Sequence, residues 1–117
     1  MRRPDDASLL VDILISARDA RAMASDATLD DLLDDLKLQL ALVKLIEIIG
    51  EAASRLSSDT RQAIPDVPWD KMIGMRHRLV HDYGRIDYEV IWRVVQDDIP
   101  RLLAALESHV PPEETDA

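Results

Sequence analysis

The sequence predicts an all-α fold, an up-and-down bundle of about four main helices. Three observations carry this. Apolar residues recur at helical spacing along most of the chain, strand-like alternation is absent, and Pro, Gly and cap residues divide the pattern into segments of helical length. The 117 residues suffice for one domain with a real core and are too few for two. Apolar residues make up 47% and aromatics only 3%, with no Phe, so the core must be built from Leu, Ile, Val, Ala and Met.

The first helix runs from a cap at Asp5 or Asp6 to about residue 24, with Leu10, Ile13, Leu14, Ala17 and Met23 at helical spacing. Residues 25–27 make a turn, and Thr28 with Asp31 resembles a capping box. The second helix spans about 29–56, bent near Asp34 and Asp35, and is the most apolar stretch of the chain. Its polar residues Lys37, Lys44, Glu47, Glu51 and Arg55 recur at spacings of three, four or seven and form one narrow stripe. A helix so widely apolar is buried on several sides. One small core does not cover it, which predicts a two-fold homodimer.

A connector follows over residues 57–68. Ser58 or Asp59 caps a short helical turn before Ile64, and Pro65, Asp66 and Pro68 break helix. The next helix takes residues 68–83, PWDKMIGMRHRLVHDY. Pro68 fits the first helical position, where its missing N–H costs nothing, and Gly84 supplies the C-cap. Asp87 caps the last helix, to about Ser108, with Ile91, Val94, Val95, Ile99, Leu102, Leu103 and Leu106 as its buried stripe. Pro100 should kink this helix without ending it, because the apolar period resumes beyond it. Residues 111–117, PPEETDA, are expected to be a disordered tail to a domain of residues 1–110.

Chemistry gathers on the helix at 68–83. With Arg76 at zero and about 100° per residue, Met72, Ile73, Met75, Leu79, Val80 and Tyr83 fall within about 100° on either side. Arg76 therefore stands in the middle of an apolar stripe, where a guanidinium needs a partner. His77 and His81 fall at about 100° and 140°, and Arg78 can pair with Asp82 on the outer face. Taken singly, Arg76 reads as a snorkelling or structurally paired cation and His81 as a satisfied polar residue. Function is suggested by Arg76, His77, Arg78, His81 and Tyr83 all lying within eight positions of an otherwise acidic chain.

The net charge of −9 argues against broad, nonspecific nucleic-acid binding. Residues 71–86 are the exception, with Lys71, Arg76, Arg78 and Arg85 against Asp82, an island able to attract an anion. The chain has no Cys, which excludes disulfides and thiolate metal sites and fits a reducing cytoplasm. No apolar run approaches about 18 residues, and the opening MRRPDDAS lacks the apolar stretch of a signal peptide. The expectation is a cytoplasmic protein without a membrane span.

Several chemistries compete for this cluster. A metal site would use His77 and His81, an i, i+4 pair, but no HExxH and no third ligand at diagnostic spacing accompanies them. Triad-type acyl transfer lacks a nucleophile, since no Cys exists and no Ser lies near the motif. Phosphodiester cleavage in RNA fits better and needs neither metal nor cofactor. It asks for a base at the 2′-hydroxyl, an acid for the leaving oxygen and a cation for charge at phosphorus. Histidine can move the protons and arginine can clamp the phosphate. Arg76 and His81 are about 140° apart and about 7.5 Å along the axis, too splayed for one compact site on a lone helix. Two copies related by a two-fold axis would complete each other's cleft. Glu47 and Glu51 read as stripe residues paired with Lys44 and Arg55, or as groups that orient Arg76 from the neighbouring helix.

RHRLVHDY at 76–83 resembles the R-x4-H-x-Y motif of HepT-like toxins in the HEPN superfamily. The resemblance extends over about residues 5–107, through LIEIIGEAASRLS at 45–57, IPDVPW at 64–69, MIGMR at 72–76 and the stretch from Asp87 to Trp92. It implies a dimeric, all-helical, metal-independent endoribonuclease. It also implies a partner, a minimal nucleotidyltransferase antitoxin that silences the toxin by transferring AMP to the motif tyrosine. On this chain Arg76 and His81 would be catalytic and Tyr83 the AMPylated residue. The position after the arginine is usually Asn in the family and is His77 here, an accessory polar group, a second titrating base or the mark of altered activity. A different class of function is also compatible, since HEPN-like bundles include non-catalytic helpers that bind a nucleotide or brace a nucleotidyltransferase.

Overall fold

The computed structural model describes residues 6–81 and 85–109, with Val80 and His81 as helical backbone alone. Among the described residues every regular element is helical. In order they are α1 (Asp6–Ala24), α2 (Leu29–Asp34), α3 (Leu36–Arg55), α4 (Ser58–Ala63), α5 (Trp69–His81), α6 (Tyr88–Arg93), a π-helical segment (Val94–Asp98) and α7 (Ile99–Glu107). The central helix is α3, which packs against α1 and against α5, while α7 closes on α1. The core is aliphatic, as the composition requires. Ile13 and Leu14 of α1, Leu42, Ile46 and Ile49 of α3, and Leu102, Leu103 and Leu106 of α7 are each at most 1% exposed. None of the described helices is long and apolar enough to cross a membrane.

The expected second helix is two helices. Asp35 takes an extended conformation (φ −117°, ψ 102°), ends α2 and caps α3 by accepting from the Leu38 N–H at 3.2 Å. Gln39 Nε2 donates to the carbonyls of Leu32 and Leu33 at 2.9 and 3.2 Å, which satisfies two of the acceptors that the end of α2 leaves open. The capping box is present, with the Asp31 N–H on Thr28 Oγ1 at 3.1 Å and the Thr28 N–H on Asp31 Oδ2 at 2.9 Å.

Three other expectations shift by a residue or a face. On α1 the inward residues are Leu9, Ile13, Leu14, Ala17, Ala20 and Ala24, whereas Met23 is 49% exposed. The cap of α4 is Ser57, not Ser58 or Asp59, and Asp6 explains why. The Asp6 carboxylate accepts from Ser57 N–H at 3.1 Å, Ser57 Oγ at 2.5 Å and Thr60 Oγ1 at 2.6 Å, tying the start of α1 to the start of α4. Helix α5 begins at Trp69, with Pro68 one position earlier than expected as the flanking residue whose carbonyl accepts from Met72. Trp69 Nε1 donates to the carbonyls of Ile64 and Arg61 at 3.0 and 3.1 Å, which closes the end of α4 and fixes where α5 starts.

The last helical unit follows the sequence closely. Asp87 caps it, and all seven predicted stripe residues are buried. The kink expected from Pro100 takes the form of the π-helical turn, in which the Ile99 N–H reaches back to the Val94 carbonyl. A wider turn just before the proline accommodates the ring and its missing donor. Asp5, Asp82, Tyr83, Gly84 and the expected tail at 111–117 lie outside the described residues.

Candidate active site

The site is built on the contact between α3 and α5. The face that α5 buries consists of Trp69, Met72, Met75 and Leu79, at 7%, 2%, 8% and 4% exposure. Ile73 is only partly covered. The buried stripe is therefore centred about 45° to one side of Arg76. Arg76 lies on the edge of this stripe and not in its middle, where the sequence places it, and its side chain keeps 34% of its exposure.

Gly50 decides where Arg76 can lie. A Cβ built on Gly50 would fall on the Arg76 Cβ, with the Met72 carbonyl oxygen at 2.8 Å and the Arg76 Cγ at 3.0 Å. The stem of Arg76 thus rests against bare backbone of α3. From there the guanidinium meets the next residue of α3, with Nη2 at 2.7 Å from Glu51 Oε2. Of the two readings of Glu51, the structure selects the partner of Arg76. At 34% and 48% exposure the pair adds little to stability. Its effect is on orientation. A guanidinium has five N–H donors, so a single contact at Nη2 leaves others for an incoming oxyanion.

The pair opens into a cleft of about 340 Å³, lined by Asp12 from α1, by Lys44, Glu47, Glu51 and Arg55 from α3, and by Arg76. The polar stripe of α3 is the floor of this cleft. His77 follows Arg76 on the exposed surface of α5. His81 is the last residue of α5, and the helix runs unbroken between it and Arg76. Their backbone positions keep the splay of about 140°, so a single α5 does not bring Arg76 and His81 into one compact cluster. Tyr83 lies beyond the described part of α5. Among the described residues no three His, Asp or Glu side chains converge as a metal site.

Sequence reasoning weighed Glu51 but missed Gly50. The available signal was a glycine inside a widely apolar helix, a costly placement unless another backbone comes close.

Residues 13–109 match the family described as Ribonuclease HepT-like. A Methanocaldococcus jannaschii protein named "Putative RNase MJ1380" is 35% identical over 92% of this chain and 98% of its own length. A second protein of that organism, "Putative RNase MJ0127", is 36% identical over 92% of this chain and 88% of its own. The "Probable ribonuclease HepT" of Thermococcus cleftensis is 40% identical over 67% of this chain and 71% of its own. No solved structure gives a significant match. An all-helical chain with its arginine seated between two helices, matched over nearly its whole length, thus belongs to the HepT-like ribonuclease family.

Proposed function

We propose that this chain is the toxin of a type II toxin–antitoxin pair, a metal-independent endoribonuclease with Arg76 and His81 as its catalytic groups. The observation that carries this is the seat of Arg76, a guanidinium fixed against Gly50 and held at 2.7 Å by Glu51 at the mouth of a cleft. The RNase names of the relatives support it. The 2′-oxygen attacks phosphorus as the P–O5′ bond breaks, giving a 2′,3′-cyclic phosphate and a 5′-hydroxyl. His81 handles the proton transfers, and Arg76 stabilises charge on the phosphoryl oxygens. His77 is an accessory polar group. Incubating purified protein with RNA in the presence of EDTA should yield cyclic phosphate ends. Intact RNA would leave the chain as a non-catalytic helper.

A two-fold dimer supplies what one α5 lacks. Leu33, Leu36 and Leu40 are 46%, 65% and 61% exposed. Leu40 lies within about 40° of Lys44, Glu47 and Glu51 around α3, so the apolar patch continues the cleft face. A second copy covering the patch would bring its own α5 towards the cleft. Sedimentation at micromolar concentration should return twice the mass of the 13.2 kDa chain. A monomer would remove the shared cleft.

Regulation follows from Tyr83. A minimal nucleotidyltransferase antitoxin would activate ATP so that the Tyr83 phenol oxygen attacks the α-phosphorus, pyrophosphate leaves and the tyrosyl proton passes to solvent. The added nucleotide puts negative charge and bulk within a few residues of Arg76 and His81, opposing an RNA phosphate there. Co-expression with such an enzyme should add AMP mass to the Tyr83 peptide, and Tyr83→Phe should escape both the mass and the neutralisation. Relief of toxicity without any adduct would mean inhibition by binding alone.

A further inference from the structure

We propose that a second groove, between α5 and the unit formed by α6 and the π-helical segment, binds the phosphate backbone of single-stranded RNA away from the scissile bond. The proposal rests on the ribonuclease reading for its choice of ligand. Its walls carry Lys71, Gly74 and Arg78 from α5 and Arg93, Asp97 and Asp98 from the other side, around about 560 Å³. That is a volume in the range of ligand sites.

The charges in this groove are not equivalent. Asp98 is 8% exposed and lies 2.7 Å from Lys71 Nζ, so its carboxylate is matched by a lysine strapped across from α5. Arg78 and Arg93 are exposed, and among the described residues neither has a carboxylate partner. They belong to different elements and line the same groove. Among the described residues Asp97 is the remaining acidic residue of its lining, while Asp82, which the sequence spacing pairs with Arg78, lies outside them. Two exposed guanidinium groups without a carboxylate partner among the described residues, set against the carboxylate of Asp97, make this lining net positive in a chain of net charge −9 and able to attract an anion.

Gly74 shapes the wall between them. A Cβ there would meet nothing within 4 Å, so the helix surface is open and a strand can approach its main chain. Register links the groove to the catalytic helix. Measured from Arg76, Gly74, Arg78 and Lys71 fall at about 160°, 200° and 220°, and position 81 falls at about 140°. The groove therefore lies on the side of α5 that holds the His81 position, and its α5 wall, from Lys71 to Arg78, extends about 10 Å along the axis. Among the described residues no aromatic side chain lines it. Recognition would be through phosphates, without base stacking, and so tolerant of sequence and sensitive to salt.

The test pairs binding with cleavage. Binding of a fluorescent oligouridylate of about ten nucleotides is measured by anisotropy on full-length His81→Ala protein, so that cleavage cannot intervene. Adding Arg78→Ala and Arg93→Ala should weaken binding about tenfold at low salt and flatten the slope of log affinity on log salt by about 1.4, at about 0.7 per phosphate contact. Arg93→Lys, which keeps the charge, should retain most of the slope. Unchanged affinity and slope in the double variant would overturn the proposal and leave the groove to another partner, such as an acidic protein segment. In the parallel arm with His81 intact, the ratio of kcat/KM on the oligouridylate to that on a dinucleotide should fall in the double variant. An unchanged ratio would count against the groove. Should the wild-type chain cleave neither RNA, the ribonuclease reading fails, and the binding arm still decides the groove.

Discussion

Gly50→Ala should destabilise the protein by about 2–3 kcal/mol in denaturant unfolding, the reverse of what alanine does at an ordinary helical position. The new methyl would fall on the Arg76 Cβ and against the Met72 carbonyl, 2.8 Å away. Neither is the far end of a flexible side chain. A Cβ and a backbone oxygen move only with their helix, so α5 must shift away from α3. That shift uncovers Met72 and Met75, now 2% and 8% exposed, and draws the guanidinium away from Glu51. Any cleavage that survives at low temperature should fall with stability. Gly74→Ala is the control. Its Cβ meets open space, so only helix propensity acts, and the variant should gain about 0.5–1 kcal/mol. A stable, fully active Gly50→Ala protein would mean that the contact with α5 is loose and that Arg76 is not seated by it.

Arg76→Ala and His81→Ala should each lower RNA cleavage by at least about 10²-fold while leaving helicity and mass in solution unchanged. The assignment of roles predicts how the two differ. Losing the guanidinium removes charge stabilisation at phosphorus, and Arg76→Lys should recover little, because a point charge cannot reproduce a planar fork against two oxygens. Losing the histidine removes proton transfer, so binding of RNA should persist. Persistent cleavage in His81→Ala would move the base to His77 or end the ribonuclease reading. Glu51→Gln keeps an acceptor for Arg76 and removes the charge. It should reduce activity less than Glu51→Ala, a graded order expected of a residue acting through Arg76.

Much of the architecture was legible in the sequence because its determinants are local. The capping box at Thr28, the cap at Asp87 and the seven-residue stripe from Ile91 to Leu106 depend on residues within a few turns of one another, and each is found as expected. The motif on α5 was legible for a different reason. A guanidinium beside an apolar face and two histidines four apart are unusual enough in an acidic chain to stand out in any fold.

The sequence by itself determined the helical class, the aliphatic core and the helix that holds Arg76 and His81. Tertiary structure decided what surrounds them. Met23 satisfies the helical period of α1 as well as Leu9 and Ala20 do, and the packing of α3 and α7 on α1 selects the inward face. Asp6 could cap its own helix or serve another, and the approach of α4 assigned it to Ser57 and Thr60. Glu51 could pair along its own stripe or across to α5, and the close crossing at Gly50 settled that choice by bringing Arg76 within 2.7 Å. In each case the competing partners are equivalent along the chain and differ only in space, because the distance between two helices is set by the packing of both.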